Sequence, residues 1–321
     1  MCLCIRLNPK VDLTLRSSAA LCLICAALSL AAACSSGGKL TQPPAVQCNP
    51  VHLKVGDVVE TATGNLITMD ELMEKLSKVC VVYAGETHTN PEDHKIQLQV
   101  LRKLSGGGRC VELGMEMFPA EAQPILDLYI DGRMSEKDFL KEVGWKEVWG
   151  FPYALYRDLI DWQKQHRIQV LGLNAPNKIV KKIAHSGLDS LSPEERSQVA
   201  GRFHLDDPAN RKRIHEAYSE HQRGKIKNFE SFFEAQLAWE ETMAQTIAER
   251  LRQQSGCIIV VALGKGHMND RLGVPYLAYL RKPCEYATVA PIPIDYPFCA
   301  IDPNIADYVV ITDKTEPSPH Q

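Results

Sequence analysis

The chain lacks any strong excess of one charge. Its 321 residues carry a formal net charge of -3 at pH 7. Nucleic-acid-binding domains show a clear basic excess, and no basic patch with interleaved aromatics occurs here. That class of partner is excluded. Long apolar runs are also scarce. The one run apolar enough to meet a bilayer, residues 19–33 (AALCLICAALSLAAA), is too short for a comfortable span. Low-complexity sequence is missing from the bulk: 45% hydrophobic and 23% charged residues is ordinary globular usage. Beyond residue 34 the cysteines are Cys48, Cys80, Cys110, Cys257, Cys284 and Cys299, and none forms a Cys-x-x-Cys. A zinc ribbon or thioredoxin motif therefore has no support.

What is present begins with a targeting pattern. Arg6, Lys10 and Arg16 precede the apolar run, and small residues close it at Ala31-Ala32-Ala33. This reads as a secretory signal over residues 1–33. Cys34 follows directly, which predicts cleavage before Cys34 and lipidation of its thiol. One departure is Ala31, where leucine is usual; Leu30 lies one place further out. The alternative is a soluble secreted protein with an Ala-x-Ala cut. Ser35 rather than Asp after the cysteine points to the outer membrane, facing the periplasm. A lipidated cysteine anchors a protein without spanning the bilayer. Residues 34–50, small, polar and Pro-rich, read as a flexible tether. An oxidising compartment permits disulfides. Cys80, Cys110 and Cys257 nevertheless each begin an apolar run, where a small buried thiol is the better reading.

Residues 51–315 read as a single α/β domain. Near-continuous apolar runs at Cys80–Ala84, Arg109–Met115, Ile168–Leu173, Cys257–Leu263, Tyr286–Pro291 and Tyr308–Thr312 suit strands covered on both faces. Helical patterns lie between them. Thr68 with Glu71 three residues on marks a helix start. Residues 92–104 and 119–130 are amphipathic, the second opened by Pro119. Residues 228–253 form the longest pattern, with Phe229, Phe232, Phe233, Leu237, Met243, Ile247 and Leu251 on one broad face. This alternation predicts a largely parallel sheet flanked by helices, with a helical insertion at about 120–160 and 185–255.

Two segments resemble each other. Val81–His88 and Val260–His267 are both apolar strands that end in Gly-x-x-His, at Gly85–His88 and Gly264–His267. In open α/β sheets ligands bind beyond the carboxyl ends of the strands. His88 and His267 are therefore expected at one rim, with Glu86, and with Glu116 from the end of a third strand. Two imidazoles and a carboxylate suit a divalent metal, with His88, Glu116 and His267 as ligands. Without metal, His88 oriented by a carboxylate is a general base. Gln236 and Glu240 stack four apart on the apolar face of the long helix. A carboxylate buried there needs a partner. Residues 201–227 hold His204, His215, His221 and Tyr218 beside Arg211, Lys212 and Arg213. Imidazole and phenolate are haem-iron ligands, and the cations could pair with propionates; a solvated helix is the plainer reading. Trp145, Trp149, Tyr153 and Tyr156 could wall a flat apolar ligand or be core.

Several motifs then match one family in order. They are Thr63-Gly64, Ala-Gly-Glu-Thr-His-Thr-Asn at 84–90, Gly-Met-Glu-Met-Phe at 114–118 and Gly-Leu-Asn-Ala-Pro at 172–176. Ala-Gln-x-x-Trp-Glu-x-Thr-Met-Ala at 235–244 and Gly-x-Gly-His-x-x-x-Arg-x-Gly-Val-Pro at 264–275 follow. The sequence resembles the ChaN-type haem-binding uptake proteins of the Tiki superfamily. Glu240 stands where Asp is expected. The resemblance implies a fold like that of ChaN and the erythromycin esterases, and a haem- or iron-binding envelope lipoprotein serving iron acquisition. It implies haem as cofactor, an iron or haem source and an outer-membrane receptor as partners, and a homodimer enclosing haem. His88, His267, Arg271, Gln236 and Glu240 would line the site, with a tyrosine as haem ligand: Tyr153, Tyr156 or Tyr218. Kinship with Tiki and TraB-type proteins implies the alternative, a metal-dependent peptide or ester hydrolase. Glu86, His88, Glu116 and His267 would then act on substrate with Mn, Co or Zn. In erythromycin esterases the spacing from Glu to His is one residue longer than Glu86–His88.

Overall fold

A computed structural model describes residues 53–220, 228–253, 256–294, 301–302 and 304–314. The signal, Cys34, the tether, Cys48, His221 and Cys299 lie outside the described residues.

The strands are β1 (Val58–Glu60), β2 (Asn65–Ile67), β3 (Val81–Glu86) and β4 (Val111–Pro119), then β5 (Val170–Asn174), β6 (Ile258–Gly264), β7 (Tyr286–Pro293) and β8 (Tyr308–Thr312). They form one sheet in the order β2-β1-β8-β7-β3-β6-β4-β5. From β8 to β5 every pairing is parallel. Only β1 runs antiparallel, to β8 and to β2. The six apolar runs are thus the six parallel strands. The β1–β2 hairpin was not legible, because three-residue strands with Glu60 and Asn65 make no apolar run. Thr63-Gly64 turns this hairpin, with Gly64 at φ 72°, a conformation that costs glycine little.

The helices are α1 (Met69–Leu76), α2 (Pro91–Ser105), α3 (Gln123–Ile130), α4 (Glu136–Glu142), α5 (Trp145–Val148) and α6 (Arg157–His166). After β5 come α7 (Asn177–Ser186), α8 (Pro193–Arg196), α9 (Pro208–Glu220) and α10 (Phe229–Gln253); α11 (Val274–Arg281) follows β6. Thr68 and Glu71 close a capping box on α1. Pro119 does not open a helix. It is extended, with ψ 150°, and ends β4 before a short 3-10 turn. Most of the helical material falls between β4 and β5 and between β5 and β6.

Alternate residues of each central strand face opposite layers, as a period of two requires. Val82, Ala84, Leu113, Met115, Val260 and Ala262 pack on one side with Leu101 of α2 and Leu126 of α3. Val81, Tyr83, Ile259, Val261 and Leu263 pack on the other with Met243 and Ile247 of α10 and Leu277 of α11. Strands β3, β4 and β6 are buried along their whole length, which is why they read as continuous apolar runs.

The buried-thiol reading of the cysteines is corrected. Cys80 bonds Cys284, and Cys110 bonds Cys257. Each of the four precedes a parallel strand, and each bridge joins neighbours: β3 to β7, and β4 to β6. Cys110 is exposed and Cys80 and Cys284 are half-buried. The apolar runs hid this, because each cysteine sits just outside the strand it introduces. Both bridges clamp the amino edge of the sheet and leave the carboxyl edge open.

Candidate functional site

Strands β3, β6 and β4 are adjacent; His88 and His267 follow the carboxyl ends of β3 and β6, and Glu116 lies in the carboxyl half of β4. Glu86 is the last residue of β3 and is fully buried. Four donors surround it. Nδ1 of His88 is 2.8 Å from Oε1, and the Tyr156 hydroxyl donates to the same oxygen at 2.7 Å. Nε2 of Gln97 donates to Oε2 at 2.9 Å, and Nδ1 of His94 lies 3.1 Å from it. Burial alone would raise the Glu86 pKa; the hydrogen bonds from His88 and His94 outweigh it and hold the pKa at about 2. An ionised carboxylate only accepts, so Nδ1 of His88 carries a hydrogen toward Glu86 and Nε2 is the ring nitrogen turned away from it. Asn90 caps α2 directly after this turn, accepting from Glu92 N.

The second Gly-x-x-His turn lies beside the first. His267 sits between two carboxylates: Nδ1 is 3.1 Å from Glu240 and Nε2 is 3.3 Å from Glu116. Burial opposes its charge, but Glu116 and Glu240 together push its pKa up to about 10. Arg213 of α9 donates to both oxygens of Glu240 at 2.6 and 2.7 Å. Burial would raise the Glu240 pKa, yet Arg213 and His267 bring it down. Glu116 accepts from the backbone N–H of Gly264 at 2.7 Å. Burial is again outweighed there, by His267, and the pKa falls.

Helix α10 meets the groups of β4 at two points. Arg250 pairs with Glu112, while Glu240 meets His267 beside Glu116. Four strand residues span about 13 Å and ten helical residues about 15 Å. The strand and the antiparallel helix thus keep step from one pair to the other.

A cavity of about 500 Å³ opens over these groups. His88, Glu116, His267 and Gln236 contribute polar atoms, and Trp149, Phe151, Phe232 and Trp239 supply aromatic walls. The His88 ring meets Trp149 edge-on at 4.7 Å and Phe151 at 5.2 Å.

The structure brings together Glu86, His88, Glu116, His267, Gln236 and Glu240. Tyr156 joins them from behind, as a buried donor to Glu86. Other expected residues fall elsewhere. Arg271 pairs with Asp307 and is half exposed, because the chain turns away at Asp270 and Arg271, both at positive φ. Tyr153 is core, packed on Phe139 and Trp145. Tyr218 stacks on Phe229 and Phe232. No tyrosine is among the described residues that line the cavity. Of the aromatic run, Trp145, Tyr153 and Tyr156 are core and Trp149 is wall. Arg213, expected as a candidate partner for propionates, is held by Glu240 and by Asn210.

The metal set is not assembled as expected. Among the described residues, the three candidate ligands whose atoms lie within 4.8 Å of one another are Cys110, Glu112 and Cys257. Two of these are joined in a disulfide. His88, Glu116 and His267 do not all converge in this way, although Nε2 of His267 lies 3.3 Å from Glu116. Sequence reasoning also missed His94 and Gln97, the donors behind Glu86. Their spacing along α2 was visible, but nothing local tied that face to β3.

The haem-binding uptake model of the Tiki superfamily, ChaN, matches residues 72–277. The chain belongs to this family. A solved structure of ChaN of Campylobacter jejuni, described as showing cofacial heme binding, superposes with a TM-score of 0.63 at 17% identity. It covers 80% of this chain and 96% of that one. The likeness confirms the fold. An erythromycin esterase in its open conformation matches at 12% identity over 70% of this chain and 72% of that one, with a TM-score of 0.43. RETICULATA-RELATED 5, a chloroplast protein of Arabidopsis thaliana, is 27% identical over 137 residues, or 38% of this chain. The match spans 17% of that curated relative.

Proposed function

We propose that the chain binds haem in the cavity at the carboxyl edge of the sheet. The observation that carries this reading is the cavity itself: about 500 Å³, walled by Trp149, Phe151, Phe232 and Trp239, with an open imidazole nitrogen on His88. A flat apolar macrocycle with a metal centre suits that combination of aromatic walls and one nitrogen base. Family membership supports it. When bound, haem would supply an iron centre; the residues here would supply walls, a ligand and the exclusion of water.

The test is a haemin titration of the domain that starts after Cys34, followed by absorbance. A saturable Soret shift at near-stoichiometric haemin is expected. No shift at saturating haemin overturns the reading.

The cellular setting is part of the proposal. The chain is read as a lipoprotein attached through Cys34 to the outer membrane, facing the periplasm. There it takes haem or iron from a source or outer-membrane receptor for iron acquisition, as a homodimer. The signal-like start and two disulfides, which persist in oxidising compartments, support the location. C34A should leave the membrane fraction; retention there counts against the anchor. Sedimentation with and without haemin tests the dimer.

The Glu86–His88 pair favours a second reading. An imidazole held by a buried carboxylate is arranged as a general base toward water. Peptide or ester hydrolysis would then depend on His88. A panel of peptides and esters, with and without Mn, Co or Zn, tests this. Activity lost in H88A supports it, and an inert protein under all conditions removes it.

A further inference from the structure

We propose that the Cys110–Cys257 bridge is a thiol–disulfide exchange site for small thiols that carry carboxylates, with the sulfur of Cys110 as the point of attack and Glu112 as the proton carrier. The site lies at the amino edge of the sheet. Cys110 and Glu116 are separated by about 20 Å of extended chain. It is therefore distinct from the cavity at the carboxyl edge, and it stands whether or not that cavity takes haem.

Three observations carry it. First, the two sulfurs are placed unequally. Cys110 is exposed, whereas Cys257 is buried. One end of the bridge is thus open to a nucleophile and the other is shielded. Exposed disulfides are the ones that exchange readily. In the second bridge Cys80 and Cys284 are both half-buried.

Second, an acid stands beside both sulfurs. A carboxylate oxygen of Glu112 lies within 4.8 Å of Sγ of Cys110 and of Cys257. Glu112 is itself buried, and Arg250 holds it, with Nε donating to Oε2 at 2.7 Å. Among the described residues, no histidine or acid stands as close to both sulfurs of Cys80–Cys284.

Third, the bridge opens on a cationic cleft. The cleft measures about 400 Å³, and Arg109, Arg167 and Arg250 line it together with Cys110, Glu112 and Gln169. Glu112 neutralises Arg250. Arg109 donates to the carbonyls of Ser77 and Val79 at 2.5 and 3.3 Å, which leaves its charge uncompensated. Among the described residues, neither Arg109 nor Arg167 pairs with an acid. Two such guanidinium groups beside a disulfide favour an anionic nucleophile, since they bind carboxylates through paired, charge-assisted hydrogen bonds.

The incoming thiol passes its proton to Glu112 as its sulfur attacks Sγ of Cys110. A new S–S bond forms to Cys110 while the Cys110–Cys257 bond breaks. Cys257 leaves as a thiolate and takes the proton from Glu112. A second thiol then attacks the mixed disulfide, its proton goes to Cys110, and the small disulfide departs. Two small thiols are oxidised and one bridge is reduced to two thiols.

The test treats the oxidised whole protein with reduced glutathione, or with its diethyl ester, which keeps the thiol and lacks the carboxylate charge. Acid quenching, alkylation and peptide mass mapping report which cysteine carries the adduct and how fast, per thiolate. The first adduct is expected on Cys110, with Cys257 released. Glutathione should react about tenfold faster than the ester at low salt. That advantage should shrink as salt is added, and again in R167Q. E112Q should slow both thiols alike, which separates the proton step from the charge of the cleft. A first adduct on Cys80 or Cys284 overturns the proposal, as do equal rates for the two thiols. Adducts on all four cysteines at one rate are the mark of global unfolding and overturn it too. A wild-type rate in E112Q with native circular dichroism overturns the part given to Glu112.

Discussion

The ring of His88 lies over Gly264. A Cβ at Gly264 would sit 2.8 Å from Cε1 and 3.2 Å from Nε2 of that ring. The relationship is mutual between the two Gly-x-x-His turns. A Cβ at Gly85 would meet Lys265 Cγ at 2.8 Å and the Met268 side chain at 2.9 Å. Each turn therefore leaves out a side chain where the other needs room. Parallel pairing of β3 with β6, which sets Gly85 opposite Leu263 and Glu86 opposite Gly264, puts them in register.

G264A should force the imidazole away from its place. The ring cannot swing freely, because Glu86, Trp149 and Phe151 hold it. A destabilisation of about 1–3 kcal/mol is expected from the overpacking, with weaker haemin binding. Urea unfolding and haemin titration check both. Wild-type values for each would show that the contact relaxes at no cost.

Arg213 and Glu240 form a nearly buried pair, with side chains 10% and 1% exposed. R213M removes the guanidinium and leaves the carboxylate in the interior. Breaking such a pair from one side costs about 3–5 kcal/mol. R213M with E240Q should recover much of that loss. A denaturation midpoint unchanged in R213M would mean that His267 alone neutralises Glu240.

Stability should fall as the solution turns alkaline. The folded pKa of His267 is about 10 against an ordinary 6.5. Its contribution is therefore complete below 6.5 and is lost as pH rises through 10. Glu86 acts at the other end. Its folded pKa of about 2 lies below the ordinary 4.5. Its contribution is present above 4.5 and is lost as pH falls through 2. H267N should flatten the alkaline limb between pH 7 and 10 and leave the acid limb alone. Urea midpoints across that range decide it, and an alkaline limb as steep as in the wild type would contradict the assignment.

Reduction should separate stability from binding. The bridges Cys80–Cys284 and Cys110–Cys257 sit at the amino edge, a strand's length from His88 and His267. Opening a bridge of this loop size costs about 2–5 kcal/mol. The melting temperature should drop in dithiothreitol, while haemin affinity at low temperature stays unchanged. A loss of affinity in the folded, reduced protein would show that the clamp acts on the site.

The sequence by itself determined what is local or periodic. The six parallel strands were visible because a strand buried on both faces must be apolar along its length. The turns at Gly85–His88 and Gly264–His267, the cap at Thr68 and the long helix over Glu240 were visible because each is written within a few residues. Order along the chain and the strand-end rule placed His88, Glu116 and His267 at one rim. The tertiary structure decided who faces whom. It set Arg213 on Glu240, two acids on His267, three further donors on Glu86 and Asp307 on Arg271. It also paired four cysteines across neighbouring strands. None of these is a spacing in the chain. Each depends on how separate strands and helices pack against one another, which is settled only in the folded chain.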